Sequence, residues 1–426
     1  MKNNSYALKG NILYSKDKSM IIEQKHGFLL CEDGKVTGVF GELPKRFEGI
    51  PVVDKGDALI LPGFADLHLH APQYAFRGLG MDHELLDWLD THTFPEEAKY
   101  ADPAYAKLAY GQFVPALAAG ATTRAVVFAT AHTEATLLLM DMLEETGLVT
   151  RVGRVNMDRN SNPALQEQSA AASLADTRDW LRQAEGRYTH TAPILTPRFI
   201  PSCSDELMHG LAALQKETGL PVQSHLSENQ GEIAWVKELC PEAANYADAY
   251  RRFGLLGGAG CPTIMAHCVW SDAAEQALLA EHGVWVAHCP VSNADLSSGV
   301  APVRAFLERG IKTGLGSDMA GGYELSIFGV MVQAVKDSKL RWRMQDETLA
   351  PLTLPEVFYL ATRGGGSFFG QVGAFEPGWE FDAIVVDDSE IVCPFELTLQ
   401  ERLERLVYLG GDRNVKEKYV QGRRVK

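Results

Sequence analysis

The sequence lacks an excess of positive charge, since 40 Lys and Arg stand against 55 Asp and Glu for a formal net charge of -15. This balance disfavours nucleic-acid phosphate or an anionic membrane surface as the main partner. Long apolar runs are also scarce. The uncharged stretch at residues 254–270 is interrupted by glycines and is shorter than the roughly 20 residues that a membrane span needs. The first ten residues, MKNNSYALKG, have no apolar segment typical of a secretion signal.

Paired cysteine motifs are absent as well. The chain has seven cysteines, an odd number, and none of them forms a C-x-x-C pair. A disulfide framework is therefore disfavoured, and we expect reduced thiols, mostly buried as small apolar side chains, in a cytoplasmic protein. Hydrophobic residues make up 46% of the chain, which is enough for one large domain with a smaller appendage.

Both ends of the chain have the pattern of short strands joined by turns. Near the N-terminus, the segment EDGK contains the Asp-Gly pair typical of a tight hairpin turn between two apolar stretches. The C-terminal segment repeats this pattern, for example in DAIVVDD and RLVYLGG. We therefore expect residues 1–58 and 376–426 to form one small β-sandwich domain, although the rest of the chain separates them in sequence.

The middle of the chain, residues 59–375, alternates between strand-like and helix-like segments. The helical segments are rich in alanine and leucine and end in glycine, a common helix stop signal. This alternation predicts parallel strands with right-handed crossovers, and so an α/β fold. Eight such units close into a (β/α)8 TIM barrel, whose active site lies at the carboxyl ends of the strands. The strand candidates are residues 59–70, 122–130, 148–158, 192–202, 221–228, 263–270, 284–293 and 312–318.

Side chains suited to metal binding fall at the ends of four of these strands. His68 and His70 are two residues apart, so they share one face of the first strand. His225 ends the fifth strand, His267 the sixth and Asp318 the eighth. A lone histidine at a strand end is more often structural, but the set together predicts a metal site. Imidazole nitrogens and a carboxylate oxygen suit zinc or another divalent transition metal.

The chain resembles the amidohydrolase superfamily of metal-dependent hydrolases in the segments PGFADLHLHAPQ, SHLSE, MAHC, HCPVSN and GLGSD. A narrower likeness, to the branch that deaminates guanine, rests on HLHAPQYAFRG, LLDWLDTHTFPEE, LTPRFIPSCS and YLGGDRNVKEKYVQGRRV. The likeness extends over nearly the whole chain. It implies hydrolysis of guanine to xanthine and ammonia, in purine catabolism or salvage, by a homodimeric enzyme.

The resemblance also implies one zinc ion per chain, held by His68, His70, His225 and Asp318. Such an ion would lower the pKa of a water molecule toward 7, which allows attack on C2 of guanine at neutral pH. Superfamily members with two metals use a carboxylated lysine on the fourth strand. The corresponding segment here, APILTPRFIPS, has no lysine, which favours a single metal.

Proton transfer is assigned by the same resemblance to three residues. Asp318 and His267 would orient the water and take up its proton. Glu228 would protonate a ring nitrogen of the purine and later deliver a proton to the departing amine. His225, Glu228 and Asp318 would therefore also contact the reacting end of the substrate.

Substrate recognition would use Gln73, Arg198 and Phe199. Gln73 offers a donor and an acceptor, and Arg198 presents a planar fork that matches a purine carbonyl and the neighbouring ring nitrogen. Phe199 can pack on the plane of the base. A site built to pair with the O6 carbonyl should reject adenine, because its buried donors would then lie unpaired.

Two alternatives stay open on the sequence. The enzyme could deaminate or dechlorinate another nitrogen heterocycle, such as an aminotriazine, cytosine or a modified adenosine, because a fold does not determine a substrate. The chain could also be a non-catalytic scaffold, although such relatives usually lack one or more ligands and this chain keeps the full set. Trp88 and Phe94 are expected to form walls of the pocket or to pack a loop, and His288 and Asn293 to support the site or to pack.

Overall fold

The computed structural model describes residues 5–258 and 260–426, so the first four residues of the predicted N-terminal segment lie outside it. Among the described residues, no helix combines the length and apolar character needed to cross a lipid bilayer. The strands are β1 (Ser5–Ser15), β2 (Ile21–Glu32), β3 (Lys35–Phe40), β4 (Val52–Pro62), β5 (Phe64–His70), β6 (Thr122–Phe128), β7 (Val149–Gly153), β8 (Val155–Asn156), β9 (Thr191–Pro193), β10 (Thr196–Pro197), β11 (Val222–Leu226), β12 (Thr263–His267), β13 (Trp285–His288), β14 (Lys312–Leu315), β15 (Ala383–Val386), β16 (Val415–Val420) and β17 (Arg423–Arg424).

The α-helices lie mainly between the strands of the middle region. Glycine in the left-handed conformation ends several of them, as at Gly147 and Gly219, which agrees with the predicted stop signals. The helices are α1 (Leu85–Trp88), α2 (Phe94–Ala98), α3 (Pro103–Ala119), α4 (Thr133–Thr146), α5 (Ala170–Ala184), α6 (Asp205–Thr218), α7 (Gln230–Leu239), α8 (Tyr246–Phe253), α9 (Ala273–Glu281), α10 (Pro290–Asp295), α11 (Val303–Glu308), α12 (Ile327–Met344), α13 (Leu354–Tyr359) and α14 (Leu399–Leu409).

The two ends of the chain meet in one seven-stranded sheet of order β17-β16-β15-β4-β1-β2-β3. Strands β1 and β4 pair in parallel, and the other neighbours in this sheet pair antiparallel. Both ends of the chain therefore contribute strands to one sheet, which is consistent with the expected β-structure. The segment RLVYLGG, expected as a strand, instead lies at the end of α14 (Leu399–Leu409). Buried Lys418 of β16 donates to the backbone oxygens of Ala118 and Thr122, both at 2.8 Å, which fixes the sheet against α3 and β6.

The middle region contains two four-stranded parallel sheets, β5-β6-β7-β9 and β11-β12-β13-β14, and the short parallel pair β8-β10. A parallel bridge between Leu195 and Val222 joins the region of β10 to β11. On the other side, the Asp318 N–H donates to the backbone oxygen of His68 at 2.8 Å, which joins the segment after β14 to β5. The α/β class and the parallel pairing are therefore confirmed.

Three strand predictions need correction. The predicted first strand, residues 59–70, is two strands that meet at Gly63, and residues 59–62 belong to β4 of the terminal sheet. The predicted third and fourth strands are each interrupted, as β7 with β8 and β9 with β10. Composition alone cannot show such a break, because Ile194 and Leu195, which separate β9 from β10, are themselves apolar and buried.

The glycines of the GLGSD segment allow a close approach between backbone segments. Neither Gly314 nor Gly316 has a positive φ. A Cβ added at Gly316 would lie 2.8 Å from Cys289 Sγ and 3.0 Å from His68 Cβ. The missing side chain therefore lets the segment after β14 pass directly against β5.

Gly316→Ala is expected to destabilise the protein by about 1–3 kcal/mol, the usual cost of overpacking a tight core. Chemical denaturation followed by circular dichroism measures this change. Gly111→Ala is the matched control, because Gly111 lies in α3 with no atom within 4 Å of an added Cβ. The control should be neutral or stabilising by up to about 1 kcal/mol. Equal stability of the two variants would contradict this reading of Gly316.

Candidate active site

A β-bulge in β5 presents the two histidines of the first parallel strand. Asp66 pairs with Ala125 of β6 but Leu69 pairs with Val127, so β5 holds one more residue than its partner in this interval. A bulge of this kind turns a side chain away from its regular direction. The His68 and His70 rings lie nearly perpendicular, with centroids 4.9 Å apart, and the simple alternation expected from the sequence is modified at this point.

Imidazoles from three strands converge with one carboxylate. His68 Nε2 lies 3.1 Å and His70 Nε2 3.6 Å from Asp318 Oδ1. His70 Nε2 is also 3.2 Å from His225 Nε2. His267 Nε2 lies 3.7 Å from Asp318 Oδ2. Residues separated by up to 250 positions in the sequence thus form one cluster, because they lie at the carboxyl ends of parallel strands or just beyond them.

Hydrogen bonds orient two of the imidazoles. His225 donates from Nδ1 to the backbone oxygen of Arg198 at 2.6 Å. His267 donates from Nδ1 to Asn293 Oδ1 at 2.9 Å. Each bond fixes the tautomer, so Nε2 keeps its lone pair and faces the cluster, as is usual for histidine ligands of metals. Asn293 thereby has the supporting contact that the sequence suggested.

The donor set fits a divalent metal ion. Nε2 of His68 and of His267 are buried and have no hydrogen-bond partner among the described residues. Burial lowers the pKa of His68, and it lowers those of His70 and His225 far below the usual value, so these rings are neutral at pH 7. Two neutral nitrogens 3.2 Å apart are close to the roughly 3.3 Å separation of nitrogens bound to one tetrahedral zinc at about 2.0–2.1 Å.

Two buried carboxyl groups beside the cluster differ in protonation. Burial, and then the negative charge of Asp318, raises the pKa of Glu228 well above its usual value. Burial also opposes ionisation of Asp318, but the surrounding imidazoles, His68 foremost, outweigh it and hold the pKa of that carboxyl well below its usual range. Of the two carboxyl groups, Glu228 therefore holds a proton more readily and Asp318 ionises more readily. Such a pair provides an acid and a base in one site.

The backbone around two of these residues is constrained. His267 has φ 73° and Asp318 has φ 46°, in the left-handed region that is uncommon for residues other than glycine. Asp66 helps to hold the second of these segments, because its buried carboxylate accepts from the Ser317 hydroxyl at 2.6 Å and from the Ser317 N–H at 3.0 Å. Constrained backbone of this kind is concentrated at functional sites.

A cavity with about 410 Å³ of empty space, part of it open to solvent, lies beside the cluster. Its apolar wall is formed by Leu85, Trp88, Leu89, Phe199 and Leu296. The polar side chains that line it are His70, Gln73, Arg198, His225, Glu228, Glu232, His267 and Asp318. The cavity thus combines an apolar wall, a proton-bearing carboxyl group and the histidine cluster.

The end of the cavity formed by Gln73 and Arg198 is tied together by a buried carboxylate. Gln73 Nε2 donates to Glu97 Oε1 at 2.9 Å. Arg198 donates from one terminal nitrogen to Glu97 Oε2 at 2.7 Å. The Arg198 guanidinium also lies over the Phe94 ring, 5.1 Å from its centroid. All of these side chains are buried.

The structure brings every predicted site residue to the cluster or to the cavity wall. Trp88 forms part of the wall, as expected, whereas Phe94 does not line the cavity and packs behind that wall, in one core cluster with Trp88 and against the Arg198 guanidinium. His288 is buried outside the lining, and burial together with His267 lowers its pKa to about 3. Glu97 and Glu232 were missed. Glu97 stands beside Glu96 in the sequence, and nothing in the local pattern distinguishes the two.

Comparison with known proteins identifies the family. The amidohydrolase family model matches residues 59–425. This chain belongs to the amidohydrolase family. Its similarity to members named guanine deaminase is high over most of its length. The guanine deaminase of Dictyostelium discoideum is 40% identical over 384 residues, which cover 88% of this chain and 84% of that protein. The human guanine deaminase is 37% identical over 377 residues, covering 86% and 82%.

Among solved amidohydrolase structures, guanine deaminase from C. acetobutylicum, with guanine bound in its active site, has the same architecture. The TM-score is 0.96 at 44% sequence identity, and the alignment covers 99% of this chain and 100% of that one. The agreement therefore includes the terminal sheet as well as the parallel strands.

Proposed function

We infer that the chain is a guanine deaminase, which hydrolyses guanine to xanthine and ammonia. The observation that carries this conclusion is the arrangement of one cavity. Gln73 and Arg198 form one end, and the histidine cluster with protonated Glu228 forms another part of its wall. Relatives that are 34–40% identical over most of the chain bear the same name.

We propose that the cluster holds one zinc ion through His68, His70, His225 and Asp318. The neutral imidazoles and the ionised carboxylate support this assignment, since these are the forms that bind metals. Bound there, zinc supplies a Lewis acid that makes hydroxide available near neutral pH. No lysine lies on β9 or β10, which supports a single ion.

The remaining chemistry belongs to the side chains of the chain. Protonated Glu228 would donate its proton to a ring nitrogen of the purine, which makes C2 more electrophilic. Ionised Asp318, with His267 at 3.7 Å, would orient the attacking water and accept its proton. Glu228 Oε2 lies 3.4 Å from His267 Nε2. The proton taken from the water could therefore pass by way of His267 to Glu228, which would deliver it to the departing amine.

Recognition of the base would use the part of the cavity wall formed by Gln73 and Arg198. Arg198 cannot be deprotonated, and its free donors match the O6 carbonyl and the neighbouring N7 of guanine. Gln73 would add a further hydrogen bond, and Phe199 would pack on the ring. Adenine lacks the carbonyl, so it would leave buried donors unpaired, a large penalty in a site of this kind.

For the architecture, we propose that the parallel strands close into a (β/α)8 barrel. The bridges at Leu195 and at Asp318 support closure on both sides. So does a core cluster that unites Leu67, Val126, Ile194, Ile264, Ala287 and their neighbours, because inward residues of alternate strands meet in a barrel core. Residues 59–375 would form this domain, and residues 1–58 with 376–426 a β-sandwich domain.

We further propose a cytoplasmic homodimer. The absence of disulfides among the seven cysteines supports a reducing compartment. The acidic net charge supports neither a nucleic acid nor an anionic membrane as partner. Sedimentation analysis of the purified protein tests the dimer.

A substrate panel followed by ultraviolet absorbance tests the function. Guanine, adenine, cytosine, guanosine and ammeline are supplied at equal concentration to the metal-loaded protein. Guanine should have the highest kcat/KM of the panel. Faster turnover of any other compound would overturn the assignment of guanine, and no turnover at all would favour the scaffold alternative.

A further inference from the structure

We propose that Glu97 is a positioning residue, which sets guanine selectivity by holding Gln73 and Arg198 in one fixed arrangement. This inference rests on the proposed function, because it assigns a role at the end of the cavity that would bind the base. Glu97 itself does not line the cavity. It would therefore act on the substrate only through its two partners.

Both oxygens of the Glu97 carboxylate are used, and each is used by a different partner. Oε1 accepts from Gln73 at 2.9 Å, and Oε2 accepts from Arg198 at 2.7 Å. The two partners come from different parts of the chain, after β5 and after β10. Glu97 belongs to α2, and it is the shared acceptor that joins them.

The contact also fixes which way the Gln73 amide points. Since Nε2 donates to Glu97, the amide oxygen is turned toward the Ala320 N–H and accepts from it at 3.3 Å. A reversed amide would place donor against donor at Ala320 and leave Glu97 Oε1 without a partner. A carboxylate that accepts at both oxygens therefore selects one orientation of Gln73.

Burial makes this arrangement rigid. Glu97 is 1% exposed and Arg198 is 2% exposed, so water cannot replace either contact, and an unpaired charge at this depth is costly. Charge-assisted hydrogen bonds are also among the strongest in proteins. The free donors of Arg198 are thus held in place before the base binds. A base without a matching acceptor would leave these buried donors unpaired, and the site would therefore discriminate against it.

The alternative is that Glu97 only neutralises Arg198 and so stabilises the fold. The two roles predict different results for a base that lacks O6. 2-Aminopurine is such a base, because it differs from guanine by the loss of this oxygen. If Glu97 positions the groups that bind O6, its loss should weaken the binding of guanine much more than the binding of 2-aminopurine. If it only stabilises the fold, both bases should be affected alike.

The test uses the metal-loaded Glu97→Gln variant. Glutamine accepts at one atom only, so it cannot satisfy both partners. We expect KM for guanine to rise and kcat/KM to fall by about 10–100-fold, the loss expected for one charge-assisted contact. The inhibition constant of 2-aminopurine against guanine turnover should change by less than about threefold. Thermal unfolding and metal content are measured on the same samples.

Glu97→Asp keeps the charge and guards against a variant that fails to fold. Its shorter side chain cannot span both partners, so KM for guanine should still rise. Glu96→Gln is the matched control, because Glu96 is also buried but pairs with Lys99 at 2.6 Å and with Tyr105, away from the cavity. Its KM for guanine should stay within about twofold of the wild type.

Three outcomes would overturn the proposal. These are a wild-type KM in Glu97→Asp, an equal loss for guanine and 2-aminopurine, or unchanged kinetics in Glu97→Gln. Each of them presupposes that the wild-type protein turns over guanine. If the wild type does not do so, the proposed function has failed, and the two failures are thereby distinguished.

Discussion

Glu228→Gln should lower kcat for guanine by about 10²–10⁴-fold, the usual contribution of a general acid-base group. The side chain lies in the cavity wall, with one oxygen 3.4 Å from His267 Nε2 and the other accepting from the Ser298 hydroxyl at 3.3 Å. Its burial and the negative charge of Asp318 raise its pKa well above the usual value, which favours the protonated form. Glutamine has nearly the same shape, but it has no proton to transfer.

Steady-state kinetics together with elemental analysis measures this effect. Glu228→Gln should keep the metal content of the wild type, since glutamine perturbs none of the proposed ligands. Glu238→Gln, an exposed position on α7, serves as the control and should retain normal activity. Normal deamination by Glu228→Gln would rule out the proton-shuttle role.

His225→Ala is expected to lower metal affinity by more than about 100-fold, because even outer partners of metal ligands contribute 10–100-fold. Guanine turnover should fall with the metal content. His225 lies at the centre of the cluster, with Nε2 3.2 Å from His70 Nε2 and Nδ1 bound to the Arg198 oxygen. Its removal takes away a proposed ligand and also its hydrogen bond to the backbone oxygen of Arg198.

His209→Ala provides the comparison for this variant. His209 is exposed on α6, where its ring packs only against Phe253 with centroids 5.1 Å apart. Metal content and activity should both match the wild type. If His225→Ala bound metal as tightly as His209→Ala, the proposed ligand set would be wrong.

The histidine cluster could be predicted from the sequence because its members have a regular relation to the strands. His68, His225 and His267 each end an apolar segment, and parallel strands bring such ends to one edge. The bulge at His68 could not be predicted, since it arises from a mismatch with β6 that no local pattern records. The break at Gly63 was missed for a similar reason, because β4 and β5 are both apolar where they meet.

The contacts of Glu97 could not be predicted from the sequence at all. Its partners lie 24 and 101 residues away, and its neighbour Glu96 has the same chemistry. Only the packing of α2 against the cavity distinguishes the two glutamates. Glu232 is similar, because its place in the cavity wall depends on how α7 is oriented.

Titration of the metal-free protein with Zn²⁺, followed by guanine turnover and bound metal, tests most directly whether one cation at this cluster carries the hydrolysis. Activity should rise in proportion to bound zinc and reach its plateau at one ion per chain, with His225→Ala showing neither change. Guanine turnover at full rate in protein that retains no metal, or a plateau at two ions per chain, would contradict the account.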